Sequence, residues 1–187
     1  MSKSTIRQKL SLLRHHLTSS QKTQFSHEIC QNIANTEFYQ YAKTIGFYLS
    51  MPDEVNLSLL MSLSTDKLFY IPVLQQDFSL KFHHYQTSTP LKSNRWGILE
   101  PTSDLHSPID ILKLDLILFP LLGFDLKGHR LGMGKGCYDK SIPKNFPGKK
   151  IGVGFSSQQY PEVPHEEHDI HMDYIVTELQ VIQCQGN

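Results

Sequence analysis

The chain has 187 residues, 39% of them hydrophobic and 19% charged, the composition of a folded globular protein and not of a disordered one. Eighteen Lys and Arg balance eighteen Asp and Glu, which speaks against a general binder of nucleic acid or other polyanions. Cys30, Cys137 and Cys184 form no CxxC pair, so neither a zinc ribbon nor a disulfide framework is expected, and a reducing cytoplasm is the expected compartment.

The N-terminal stretch lacks the apolar centre of a signal peptide, and no apolar run reaches the roughly 18 residues of a membrane span. The length suits a single domain over residues 1–187. Before residue 43 the chain reads as helical. Ile6, Leu10, Leu13 and Leu17 recur at spacings of 4, 3 and 4, one face of a helix. On spacing alone, Arg7 and Arg14 read as part of its solvated face. Thr18, Ser19 and Ser20 offer a stop and a new N-cap; Phe25, Ile29 and Ile33 continue a second amphipathic helix.

Beyond that point the pattern changes. Apolar runs at 44–49, 68–73, 114–122 and 150–155 read as buried strands, with an alternating strand at 80–85 and a short one at 174–177. Residues 55–63 read as a short helix. Continuous apolar strands alternating with helices predict an α/β layered, largely parallel sheet. Ligands of such sheets collect at the carboxyl ends of the strands. Residues 50–54 and the glycine-rich stretch after 122 sit there.

Gly132, Gly134 and Gly136 lie among Arg130, Lys135 and Asp139. Glycines let successive backbone N–H groups approach an anion, and the two cations add charge beside them. The stretch therefore reads as a phosphate cradle, with a flexible glycine turn as the plainer alternative. It is not a Walker A loop, because Gly136 follows Gly134-Lys135 where Ser or Thr would be needed. It is not a dinucleotide fingerprint either, because the third glycine comes too early.

The run from Arg130 to Asp139, RLGMGKGCYD, closely resembles the signature of the 5-formyltetrahydrofolate cyclo-ligase family. Five further segments agree in order: Lys3 to Arg7, Tyr48 to Val55, the lead-in Asp115 to Asp125, Trp96 to Pro101, and His168 to Thr177. The resemblance implies a three-layer α/β/α sandwich with a largely parallel sheet. It implies ATP- and Mg²⁺-dependent conversion of 5-formyltetrahydrofolate to 5,10-methenyltetrahydrofolate with release of ADP and phosphate. The formyl oxygen would be phosphorylated and N10 would then close the ring.

The same resemblance implies site residues. ATP would be bound by Lys3, Ser4, Thr5, Ile6 and Arg7, and by Arg130, Leu131, Gly132, Met133, Gly134, Lys135, Gly136, Cys137 and Tyr138. The folate, with or without a polyglutamate tail, would meet Leu49, Met51, Glu54 and Trp96, together with Met133, Gly134, Lys135, Gly136 and Cys137. Asp139 and Asp169 would hold Mg²⁺, and Arg130 and Lys135 would be the catalytic cations. A cytoplasmic monomer is expected. Asp139 also reads as an ordinary acid at a helix start, and Trp96 as a core residue.

Two departures stand out. Cys137 occupies a position that is commonly aromatic in the family, which keeps open a noncatalytic nucleotide- or folate-binding relative. A reactive thiolate there is the sharper alternative. Pro143 and Pro147 should shorten any helix after Asp139. A sugar-phosphate isomerase or transferase on a similar fold would not account for the N-terminal and Glu54 elements together. His165, His168 and His171, with Glu166, Glu167 and Asp169, look like a metal cluster but are not HExxH; a polar loop carrying Asp169 is expected.

Overall fold

The computed structural model describes residues 2–102 and 107–184. Two capped helices open the chain. In α1 (Lys3–His15) the Ser2 hydroxyl accepts the Thr5 N–H. In α2 (Ser19–Ala34) Thr18 and Gln21 form a reciprocal capping box, so the expected break falls at Thr18. A short α3 (Glu37–Tyr41) follows.

Among the described residues the strands are, in chain order, β1 (Thr44–Gly46), β2 (Leu68–Leu74), β3 (Leu80–Tyr85), β4 (Leu91–Ser93), β5 (Leu99–Pro101), β6 (Leu116–Pro120), β7 (Gly123–Phe124), β8 (Arg130–Leu131), β9 (Lys149–Val153), β10 (Tyr174–Val176) and β11 (Val181–Gln183). Helix α4 (Leu59–Leu63) lies between β1 and β2, and α5 (Cys137–Ser141) between β8 and β9. Seven strands make one sheet in the order β11-β10-β9-β6-β1-β2-β3. The pairs from β10 through to β2 are parallel. The two edge strands are antiparallel. The expected largely parallel α/β sheet is present.

Alternation along β6 separates two cores. Leu116 and Leu118 face α2, α3 and α4 through Ile29, Ile33, Tyr39 and Leu60. Ile117 and Phe119 face Ile142, Phe146 and Met172. The second layer is thin, because Pro143 stops α5 after one turn.

Some expectations need correction. Ile6 and Leu10 are buried, but Leu13 is exposed and Arg14 is buried. The reason is that α1 does not lie on the sheet. It packs Ile6 and Leu10 against Leu122, Leu131 and Val163, a small third core beyond the strand ends. Within 55–63 only Leu59–Leu63 is helical; Val55 and Leu57 are buried by alternation before it. The hairpins β4–β5 and β7–β8 were not expected, since strands of two or three residues carry no usable periodicity.

Candidate functional site

Strand order creates a crevice. From β1 the chain moves to β2 and β3, while from β6 it moves the opposite way to β9, β10 and β11. Neighbouring strands β1 and β6 therefore send their crossovers apart, which is where sheets of this kind bind ligands. The segment leaving β1 carries Leu49, Met51 and Glu54. The segment leaving β6 carries the β7–β8 hairpin, the glycine loop and α5. The segment leaving β9 carries Asp169.

Helix α1 ties these segments together. Lys3 Nζ lies 2.8 Å from Asp169 Oδ2 and 3.1 Å from Glu166 Oε1. One turn on, Arg7 Nε donates to the Gly132 carbonyl at 2.9 Å. Neither cation is merely solvated. Gly134, at φ +97°, leaves its missing Cβ 3.3 Å from Arg7 Cζ, so a larger residue there would strain the backbone and press on that guanidinium. A Cβ at Gly132 or Gly136 would meet nothing within 4 Å. That space and the exposed Lys135 beside it suit an anion cradle.

The two candidate metal carboxylates are both held by cations. Asp139 Oδ1 accepts from Arg130 at 2.7 Å and from the Ile170 N–H at 3.0 Å. Arg130 also donates to the Ile170 carbonyl at 2.6 Å and is nearly buried. Burial works against the Asp169 carboxylate, but bonds from Lys3 and the Glu166 N–H outweigh it and hold its pKa below the usual range. Each of these pairings uses one carboxylate oxygen of its Asp. Two hard oxygen donors, held beside Lys3 and Arg130, are of the kind Mg²⁺ takes, since it needs few protein ligands and keeps several waters.

On the other side of the crevice, Glu54 Oε2 accepts the Met51 N–H at 3.0 Å. Burial raises the Glu54 carboxyl above its ordinary range, against that bond and the charge of Arg14. Burial, and after it the Glu54 charge, also push the Tyr138 hydroxyl up. Leu49 is half-buried against the larger core and Met51 is exposed. Ile6 turns its side chain into the small core, leaving only its backbone for a ligand.

Trp96 is 40% exposed on the β4–β5 turn, not a core residue. The Arg95 guanidinium lies 3.9 Å from its ring centroid. Phe78 is 6.2 Å away, ring to ring, and holds a left-handed φ of 67°, which is uncommon for a bulky residue. Lys135 Nζ lies 5.7 Å from the Phe78 ring, so the aromatic pair borders the glycine loop.

Comparison with known proteins settles the class. Residues 1–178 match the model of the 5-formyltetrahydrofolate cyclo-ligase family. The chain belongs to that family. It is 34% identical to the 5-formyltetrahydrofolate cyclo-ligase of Haemophilus influenzae, over 88% of this chain and 91% of that one. It is 30% identical to the Escherichia coli cyclo-ligase, over 90% of this chain and 96% of that one. The NMR structure of 5,10-methenyltetrahydrofolate synthetase from Aquifex aeolicus superposes with a TM-score of 0.87 at 28% identity, covering 100% of this chain and 95% of that one. Membership in the cyclo-ligase family makes the chain an enzyme, an ATP-dependent ligase acting on a folate.

Within this cyclo-ligase fold, Cys137 is half-buried, and desolvation raises its thiol pKa in spite of Lys140 and Lys135 nearby. A thiolate is therefore disfavoured. The histidine-rich stretch does packing work: His165 stacks on His129 at 3.6 Å, and His171 meets the Lys127 carbonyl. Among the described residues, no three His, Cys, Asp or Glu form a metal cluster, and no helix is long and apolar enough to cross a membrane.

Sequence reasoning gave no site role to Asp125, Arg14 or Tyr48, all of which the structure buries near the crevice. Asp125, 1% exposed, accepts the N–H groups of Lys127, His129 and Val163, at 3.0, 3.0 and 2.9 Å, and pairs with His129 Nδ1 at 3.0 Å. It fixes the turn that presents Arg130. A signal for Arg14 was available: it lies seven residues after Arg7, on the same helical stripe as Lys3.

Proposed function

We propose that this chain converts 5-formyltetrahydrofolate to 5,10-methenyltetrahydrofolate with ATP and Mg²⁺, releasing ADP and phosphate. The supporting observation is the junction of three crossovers on one helix: Lys3 with Asp169, Arg7 with Gly132, and His15 with Asp53.

A formamide oxygen is a poor leaving group. Transfer of the ATP γ-phosphoryl group to that oxygen breaks the bond to the ADP oxygen and makes phosphate the leaving group. The N10 lone pair then attacks the formyl carbon, the C–O bond breaks, and N10 gives up its proton. Holding both nitrogens in one bound substrate supplies the proximity for ring closure. Phosphoryl transfer itself needs mostly positioning and charge neutralisation.

Lys3, Arg7 and the backbone of 132–136 hold the phosphates in this reading. Exposed Lys135 neutralises charge on the transferring group. Arg130 acts through Asp139, keeping its carboxylate in place. Asp139 and Asp169 are the residues that would hold Mg²⁺, which when bound neutralises phosphate oxygens. Glu54 takes the pterin N–H edge, with Leu49, Met51 and Trp96 along the ring system. Free thiols at Cys30, Cys137 and Cys184 suit a reducing cytoplasm.

The test is the absorbance of the methenyl product from 5-formyltetrahydrofolate, with ATP or Mg²⁺ omitted in turn. Product only in the full mixture is expected. Binding of both substrates without product would instead mark a noncatalytic relative.

A further inference from the structure

Arg14 and Tyr48 each bury a polar atom that has no hydrogen-bond partner among the described residues. Arg14 is 7% exposed and Tyr48 is 5% exposed. Their Nε and hydroxyl atoms are buried without a hydrogen-bond partner, and among the described residues no carboxylate lies within 4 Å of the Arg14 guanidinium. Burying such groups unpaired is costly. An unpaired buried group in a folded protein calls for an explanation, such as a water, an ion or a functional role.

The 50–54 segment is docked on the first two helices through Asp53, which meets His15 Nδ1 at 3.4 Å and Lys22 Nζ at 2.5 Å. That places Glu54 beside Arg14. The Arg14 charge is felt at both Glu54 and Tyr48, and the Glu54 charge at Tyr48. Lys3, Arg7 and Arg14 share a stripe of α1 spanning about 16 Å, from the phosphate end of the crevice to its folate end.

The ligand chemistry follows from the pterin edge. Its 2-amino group and N3–H are donors, and the adjoining oxygen on C4 is an acceptor. A carboxylate satisfies the two donors and leaves the acceptor unpaired. We propose that Arg14 and Tyr48 are further substrate-binding residues, whose Nε–H and hydroxyl donate to the pterin C4 oxygen next to the edge held by Glu54. The assignment rests on the reading that Glu54 holds the pterin. Arg14 and Tyr48 then set specificity for a 4-oxo ring.

The test compares 5-formyltetrahydrofolate with its 4-thioxo counterpart, which keeps the N3–H and replaces the oxygen with a weaker sulfur acceptor. Affinities are measured calorimetrically for the wild type, Tyr48→Phe, Arg14→Met and Glu54→Gln. Tyr48→Phe and Arg14→Met should each weaken the oxo ligand about tenfold and the thioxo ligand much less. Glu54→Gln should weaken both equally. Arg14→Met should melt no lower than wild type, because it removes a buried unpaired charge.

Unchanged oxo affinity in Tyr48→Phe and Arg14→Met, or equal loss for both ligands, overturns the assignment while a Glu54 effect leaves the site reading intact. No effect of Glu54→Gln overturns the reading of the site, and the assignment with it. Tyr48→Phe, which removes one oxygen, keeps the test decisive should Arg14→Met fail to fold.

Discussion

Arg7 Nε reaches the Gly132 carbonyl at 2.9 Å across 125 positions of sequence, so the first helix shapes the glycine loop directly. The left-handed Gly134 closes on the same guanidinium. Arg7→Met should therefore raise the KM for ATP and lower kcat/KM by about 10- to 100-fold, with melting temperature little changed. Gly134→Ala should do the same through strain at φ +97°. Steady-state kinetics at varied ATP is the check; an unchanged KM for ATP in both variants removes the coupling.

Asp125 anchors the hairpin that carries Arg130. Burial opposes its carboxylate, but the N–H groups of Val163 and His129 and the His129 ring outweigh it and hold its pKa below the ordinary range. Asp125→Asn cannot satisfy the same donors and should cost about 2–3 kcal/mol at neutral pH. A folded pKa below the unfolded one stabilises above about 3.9 and is lost as pH falls through the lowered value. Urea melts should show the gap between wild type and Asp125→Asn at pH 7 and its closure in strong acid. A gap independent of pH would mean that shape, not charge, holds the turn.

Much of the fold was legible because its signals are local. Thr18 caps α2 as its spacing suggests, β3 fills Leu80–Tyr85 as the alternation predicts, and Pro143 stops α5 early. The glycine loop announced itself by composition. The rest depends on pairings that no local pattern encodes. Lys3 meets Asp169 across 166 positions. Arg14 looks solvated on a helical wheel, yet the docking of the 50–54 segment buries it. Two-residue strands β7 and β8 show no period, and Asp125, which locks their turn, resembles any loop acid.

The Cys137 thiol is raised by burial more than the neighbouring lysines lower it. It should alkylate more slowly at pH 7 than a free cysteine, because the thiolate is the reacting form. Mass spectrometry of iodoacetamide-treated protein reads this position by position. Faster labelling than free cysteine would revive a role for the thiolate.

Glu54 carries a raised pKa because burial disfavours its charge. The sign has two consequences. In the free protein, ionised Glu54 costs stability at neutral pH, and that cost disappears as pH falls through the raised folded value. Glu54→Gln should therefore match or exceed wild-type stability at pH 7. In the proposed folate complex the order should reverse, since the ionised Glu54 carboxylate would accept both pterin N–H groups. Folate affinity should be greatest above the raised pKa and fall as pH drops through it, a window starting above the ordinary value of about 4.3. Glu54→Gln should bind folate about 10- to 100-fold more weakly and lose this pH dependence. Calorimetric titrations between pH 4 and 8 decide it: a flat wild-type profile would separate the Glu54 charge from folate recognition.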